Sequence, residues 1–353
     1  MIYNFRTWLS MLLALGLAGC AALGYYGQSI GGQWEVLIKR RPIAELLDDP
    51  ATPADLKPKL ELILRLRAFA GGELQLPDND SYRSYADLER PYAVWNVYAA
   101  PEFSLTPKEW CFPVVGCVAY RGYFAKQEAE AFAVELRRQG HDVHVGGAAA
   151  YSTLGWFHDP MLSTLIHRPE ADLAGLMFHE LAHQVVYARD DSAFNESFAT
   201  TVELEGARRW LTMNGTPQQL DDYLAAKQRR AHFVALIMRY RTRLAALYAT
   251  DVTDAHKRAA KAGIFSELRA EYARQIADGK LGDDYRRWFE RDLNNARLVP
   301  IGVYHEYVAA FQALLAQEMG DWTAFYRSVQ RLAELPKEQR HAQLNVLLSA
   351  RLN

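Results

Sequence analysis

The chain has 353 residues, of which 50% are hydrophobic and 23% charged, fractions that exclude a disordered, collagen-like or coiled-coil protein. Its 40 Lys and Arg residues face 42 Asp and Glu residues, and a net charge of −2 lacks the basic excess typical of nucleic-acid-binding proteins. We therefore expect no nucleic-acid partner.

The first twenty residues predict an export signal. Arg6 provides a short basic start, residues 8–17 are apolar, and the segment ends in Leu-Ala-Gly-Cys20. This ending resembles a bacterial lipobox, in which residues 1–19 are removed and Cys20 carries acyl chains that anchor the protein firmly. Because Ala21 rather than Asp follows, we expect an outer-membrane lipoprotein of the bacterial cell envelope that faces the periplasm. The alternative is a buried N-terminal helix with an incidental cysteine.

Residues 20–90 are predicted to hold a tether and N-terminal helices. Residues 21–41 are rich in Gly and Gln, which indicates a tether followed by a helix. Apolar residues at helical spacing predict helices over 42–47 and 54–69. The polar, turn-rich residues 76–90 favour a loop.

Residues 91–212 are predicted to form a core that carries the functional site, because strands and helices alternate there. Strands are predicted over 93–98, 117–124 and 141–145, and helices over 126–139, 169–189 and 193–210. Residues 213–353 have mostly helical periods, with turns predicted near Gly215, Gly263, Gly282 and Pro300. The chain is therefore predicted to be α+β, with a small mixed sheet followed by a mostly helical C-terminal half.

The strongest chemical motif is His179-Glu180-Leu181-Ala182-His183 on the predicted helix over 169–189. Side chains four residues apart share one helix face, so both imidazoles can reach a single ion. Glu180 follows the first histidine and can accept a proton from a water molecule bound to that ion. The motif predicts one Zn²⁺ per chain, with His179 and His183 as ligands and Glu180 as general base. The alternative is a helix with two core histidines.

A catalytic zinc ion usually has a third protein ligand. Several carboxylates follow the motif, and we select Glu196 because it begins a helix that can pack antiparallel to the motif helix. Glu203, two turns further along a similar face, is the second choice for this third ligand. The other candidates are Asp190, Asp191 and Glu205.

Cys111 and Cys117 are separated by five residues. In an exported protein this spacing suits a small-loop disulfide. The alternative is a pair of reduced, buried cysteines.

The motif followed by Asn-Glu196 resembles a gluzincin metallopeptidase, in which the third ligand is a helical glutamate often preceded by Asn. The chain also resembles a family of predicted aminopeptidases of Gram-negative bacteria, over most of residues 20–215 and again at Asn-Asn-Ala-Arg-Leu298 and Tyr304. The segments that carry this resemblance are YAVWNVYAAPEFSL, WCFPVVGCVAYRGYF, AYSTLGWFHDP, FHELAHQVVY and FNESFAT. The resemblance implies a zincin-like core and an aminopeptidase that cleaves peptide substrates with zinc.

Peptide hydrolysis also requires a group that stabilises the oxyanion of the transition state. Tyr304 is our candidate, with His305 and Tyr151 as others. Residues 147–153 are predicted to be extended, and as an edge strand they would pair with the substrate backbone; an ordinary core strand is the alternative. A different class of function is a non-catalytic envelope lipoprotein that uses the metal-bound fold as a scaffold or assembly factor.

Overall fold

The structure is a computed structural model that describes residues 24–350 apart from 113–115, 152, 154 and 155. The predicted signal and Cys20 lie outside the described residues. The helices are α1 (residues 24–39), α2 (Ile43–Asp48), α3 (Lys57–Gly72), α4 (Lys126–Arg138), α5 (Ser163–Ile166), α6 (Glu170–Ala182), α7 (Ser192–Asn214), α8 (Pro217–Tyr248), α9 (Asp254–Ala277), α10 (Arg286–Glu290), α11 (Asn295–His305), α12 (Val308–Gln317), α13 (Trp322–Ala333) and α14 (Lys337–Ala350). The strands are β1 (Arg40–Pro42), β2 (Ser84–Ala86), β3 (Val94–Pro101), β4 (Trp110–Phe112), β5 (Gly116–Val118), β6 (Arg121–Tyr123), β7 (His141–Ala148) and β8 (Met161–Leu162).

The sheet that borders the functional site has the strand order β6-β3-β7, and both pairs are antiparallel. Strand β3 pairs with β7 along all eight residues, from Val94 opposite Ala148 to Pro101 opposite His141. Strand β7 is therefore an edge strand of this sheet. A second sheet has the mixed order β1-β2-β8, and β4 and β5 form a separate hairpin.

Alternation along β3 gives the sheet two different faces. On one face Val97 and Ala99 pack with α4, whose Ala129 and Ala133 are fully buried. On the other face Tyr98 and Ala100 belong to a separate cluster with residues of α11. The sheet thus lies between α4 and α11, and this places α11 beside the functional site.

The largest core surrounds α6 and α7. Phe178 on α6 and Phe194 and Phe198 on α7 are fully buried, together with aromatic rings from the C-terminal helices. The two helices approach closely at glycines: a Cβ atom at Gly206 would lie 2.7 Å from the Phe178 ring. Residues from Ile43 to Leu344 share this one core, so the N-terminal and C-terminal helices both support α6 and α7.

The α+β class is confirmed, but several predicted elements were wrong. Strand β2 lies within the predicted loop 76–90, because it pairs with β1 and β8, far from it in sequence. The predicted strand 117–124 is divided between β5 and β6, which belong to different sheets. Gly263 and Pro300 lie inside α9 and α11 instead of at turns. Both helices bury apolar faces, and that packing outweighs a local propensity cost of about 1 kcal/mol for a glycine.

In the described part of the chain one helical stretch, Asn295–Gln317, has the length and mean hydropathy (1.2) of a membrane span. Half of it is buried inside the protein. It contains α11 and α12, which pack against α7. The stretch therefore fits a pair of core helices.

Candidate metal centre

Helix α6 presents the two motif histidines on one face. His179 and His183 are 5% and 7% exposed, and their ring centroids lie 5.0 Å apart. The helix ends at Ala182, seven residues earlier than the sequence predicted, because the chain tightens into i→i−3 hydrogen bonds at Gln184 and Val185. His183 nevertheless keeps a helical backbone conformation, so it remains one turn from His179.

Helix α7 returns antiparallel to α6 and places Glu196 against both histidines. Its Oε2 atom lies 3.3 Å from Nε2 of His179 and 3.8 Å from Nε2 of His183. One ligand atom from each of the three residues lies within 4.8 Å of the other two. The sequence prediction of these three residues as a group thus corresponds to a buried cluster in the structure.

Asn195 fixes the register between the two helices. Its side chain accepts a hydrogen bond from the backbone N–H of Ala188 (2.7 Å) and donates one to the carbonyl of the same residue (2.8 Å). Asn195 is 2% exposed, so water cannot replace these bonds. Asn195, the residue before Glu196, therefore joins the start of α7 to the turn after α6.

The start of α7 is anchored from the C-terminus of the chain. Asp191 caps the helix by accepting a hydrogen bond from the N–H of Phe194. Its other carboxylate oxygen lies 2.6 Å from Nη1 of Arg340 and 2.8 Å from Nε2 of His341, both on α14. Asp191 is therefore a structural residue and lies outside the metal cluster.

Glu203 contacts the other side of His179. Its Oε2 lies 3.2 Å from Nδ1 of that ring, and its Oε1 lies 3.6 Å from the Lys227 ammonium. Burial alone would lower the pKa of His179, but the contacts with Glu196 and Glu203 raise it to about 10. The two carboxylates thus favour a positive charge at His179. Two imidazole nitrogens and a carboxylate oxygen are also the donor set of catalytic zinc sites, so these residues fit a divalent metal ion.

The cluster opens into a cleft of about 430 Å³. Glu180 lines this cleft beside His179, and burial raises the pKa of its carboxyl to about 7. The lining includes Asn96 of β3, which is 8% exposed and whose Oδ1 has no hydrogen-bond partner among the described residues. The cleft therefore combines the metal cluster, a carboxylate and an unpaired amide oxygen.

The three oxyanion candidates have different positions. Tyr304 on α11 lines the cleft, its ring stacks on His179 with centroids 6.1 Å apart, and it is one of the groups that lower the pKa of the Glu196 carboxyl. Tyr151 also lines the cleft, but its hydroxyl donates to Gln33 Oε1 at 2.6 Å. His305 does not belong to the cleft lining, and its Nε2 lies 3.3 Å from an Arg230 nitrogen.

Cys111 and Cys117 are joined by a disulfide between β4 and β5. The backbone N–H of Cys117 donates to Asp190 Oδ1 at 2.6 Å, so this hairpin is held against the turn before α7. Phe112 and Val118 of the same hairpin line the cleft. The disulfide thus stabilises one wall of the cleft.

Sequence reasoning missed the contribution of α1. Tyr25, Tyr26, Ser29 and Gln33 line the same cleft as the metal cluster, although the sequence predicts a tether for this part of the chain. The repeated Tyr and Gln side chains were the only available signal, because their partners lie about 90 or more residues away in sequence.

Comparison with known proteins gives one match. A family model described as "Putative aminopeptidase" matches residues 24–344. No curated protein and no solved structure matches the chain.

Proposed function

This chain belongs to the putative aminopeptidase family, and from that membership and the buried cluster of two histidines and a glutamate we propose that it is a zinc-dependent aminopeptidase. The single observation that carries the proposal is the convergence of His179, His183 and Glu196 at the bottom of an open cleft. The proposal includes a zincin-like arrangement of α6, α7 and the edge strand β7.

His179, His183 and Glu196 would hold the zinc ion. When bound, zinc lowers the pKa of a coordinated water and polarises a carbonyl group. Glu180 accepts the proton of the attacking water and delivers it to the leaving amine. The Tyr304 hydroxyl donates a hydrogen bond to the carbonyl oxygen as negative charge develops on it.

The edge strand β7 supports the proposed substrate, a peptide. Its last residue, Ala148, lines the cleft together with Ala150, and both side chains are small. An extended peptide can add to such an edge through backbone hydrogen bonds. The cleft side of β7 would therefore align the scissile bond with Glu180.

We also propose that the protein is a lipoprotein of the bacterial outer membrane that faces the periplasm. This rests on the lipobox-like ending at Cys20 and on the disulfide between Cys111 and Cys117, which suits an oxidising compartment. Replacing Cys20 by Ser should move most of the protein out of the membrane fraction, and membrane association as strong as in the wild type would contradict the lipid attachment.

The decisive experiment compares Glu180→Gln with wild type in a peptide-library digest and a zinc determination. We expect the variant to retain about one zinc ion per chain, since its ligands are intact, and to lose cleavage. Asp172→Asn is the matched control, because Asp172 lies on the same helix but is exposed and outside the cleft lining. Equal cleavage by wild type and Glu180→Gln would overturn the mechanism. Zinc binding with no cleavage of any peptide by wild type would support the scaffold function instead.

The exopeptidase assignment needs its own substrate comparison. An aminopeptidase cleaves peptides with a free N-terminus and not the same peptides after N-acetylation. Equal cleavage of both forms would leave a zinc peptidase but contradict the aminopeptidase assignment.

A further inference from the structure

Helix α1 carries an exposed apolar stripe on its outer face. Ile30, Trp34 and Ile38 recur at every fourth residue, so they share one side of the helix. Their exposed fractions are 70%, 64% and 64%. At 1.5 Å per residue the stripe is about 12 Å long. A run of large apolar side chains of this kind marks an interaction surface.

The inner face of α1 is fixed to the rest of the protein. Gln28 Oε1 accepts a hydrogen bond from the N–H of Phe124 at 3.0 Å, and the Tyr25 ring lies 3.9 Å from the Arg121 guanidinium. Glu35 pairs with Arg90 at 2.6 Å. These contacts hold α1 in place and determine which of its faces points outward. The stripe is therefore the outward face of a fixed helix.

The chain just before α1 indicates what covers the stripe. Cys20, the proposed acylation site, precedes the first described residue, Gly24, by four positions. Four extended residues span at most about 14 Å, so the acyl chains would enter a bilayer next to the beginning of the stripe. Trp favours the interface between lipid headgroups and acyl chains, and Ile is apolar enough to enter the acyl region.

We infer that α1 lies in the surface of a lipid bilayer, with Ile30, Trp34 and Ile38 inserted between the lipids. The inference rests on the proposed lipid anchor and not on the proposed reaction. The helix ends at a charged side chain, Lys39, which pairs with Glu35 and Glu89. Arg40 and Arg41 follow in strand β1, and Arg41 pairs with Asp49. These ion pairs leave little net charge there, so insertion of apolar side chains is the main attraction.

This placement would bring the cleft to the membrane surface. The same helix that carries the stripe lines the cleft through Tyr25, Ser29 and Gln33. An inserted α1 therefore holds one wall of the cleft against the bilayer, and peptides at the membrane surface would be the nearest substrates.

The experiment uses the mature chain, from Cys20 onward, reconstituted into phosphatidylcholine vesicles with or without brominated acyl chains. Brominated lipid quenches only tryptophans that reach the acyl region. We expect quenching in wild type and loss of the quenched component in Trp34→Phe. Equal quenching of wild type and Trp34→Phe, or failure of the protein to float with the vesicles, would overturn the inference.

A triple variant tests the stripe without relying on one tryptophan. Ile30→Ser, Trp34→Ser and Ile38→Ser remove exposed side chains outside the cleft lining, so folding and cleavage of a soluble peptide should stay unchanged. In a Cys20→Ser background, we expect these changes to abolish the remaining flotation with vesicles. The control carries Met213→Ser, Leu224→Ser and Val346→Ser, which are similarly exposed. Concentration-dependent dimerisation that only the stripe variant loses would show that a second copy covers the stripe and would also overturn the inference.

Discussion

The carboxylate of Glu203 lies 3.2 Å from Nδ1 of His179, on the ring nitrogen opposite the one that faces Glu196. A carboxylate in this position holds the imidazole in one orientation and makes the opposite nitrogen more basic. Glu203, the second choice for the third ligand in the sequence analysis, therefore has a different role in our proposal: it positions His179 and does not bind the metal.

Replacing Glu203 by Gln should weaken zinc binding about 10–100-fold, as is typical when a partner of a metal-binding histidine is lost. The measurement is competition for zinc against a chromophoric chelator. Glu205→Gln is the control, because Glu205 lies on the same helix but pairs with Arg208 and Arg209. Loss of affinity as large as in Glu196→Gln would make Glu203 a direct ligand, and wild-type affinity would remove its positioning role.

Replacing Tyr304 by Phe should lower kcat about 10²–10³-fold with little change in KM, because one hydrogen-bond donor to the developing oxyanion is lost. The phenylalanine ring can retain the stacking on His179. Steady-state kinetics with a free-amine peptide provide the test. Tyr307→Phe is the matched control, since Tyr307 is also buried but lies outside the cleft lining. A Tyr304→Phe variant with wild-type kcat would assign the oxyanion contact elsewhere.

The metal cluster could be predicted from sequence because its geometry is local. Two histidines four residues apart share a helix face whatever surrounds them, and Glu196 follows after a turn that the chain needs in order to reverse. The same local reasoning ranked Glu196 above Glu203 only by its place at the start of the helix, because both lie on a similar face of α7. Only the packing of α7 against α6 shows which nitrogen of His179 each carboxylate meets.

The walls of the cleft could not be predicted because they depend on contacts between distant segments. Gln33 reaches Tyr151 across 118 residues of sequence, and Arg340 reaches Asp191 across 149. Neither pair leaves a periodic pattern in the chain. Two turns were wrongly predicted for a related reason. Gly263 and Pro300 weaken a helix locally, but burial of neighbouring side chains outweighs that weakness, and both helices continue through these residues.

The unfolding free energy should fall as the pH decreases from about 6.5 towards 3. Burial and the charges of Arg297 and Arg291 lower the pKa of His144 to about 3, and its ring stacks on Tyr98. The unfolded chain therefore binds a proton below about pH 6.5 that the folded protein does not bind, which favours unfolding at acidic pH.

Urea unfolding at pH 7.5 and pH 5 measures this effect. His144→Gln should reduce the difference between the two midpoints, because the substituted side chain does not titrate. His256→Gln is the control, since His256 is exposed. If both variants show the wild-type difference, His144 does not cause the loss of stability in acid.

Replacing Arg340 by Met should lower the unfolding free energy by about 3 kcal/mol, since it leaves the buried Asp191 carboxylate without its main cation. The two side chains are 6% and 1% exposed and lie 2.6 Å apart, whereas His341 supplies only a second contact at 2.8 Å. Equilibrium unfolding in urea measures the change. Arg243→Met is the control, because its partner Glu267 is exposed and such surface pairs contribute about 1 kcal/mol or less.

Since Asp191 caps α7 five residues before Glu196, Arg340→Met should also weaken zinc binding. Equal destabilisation by the two variants would show that the buried pair has no special role in holding the metal centre.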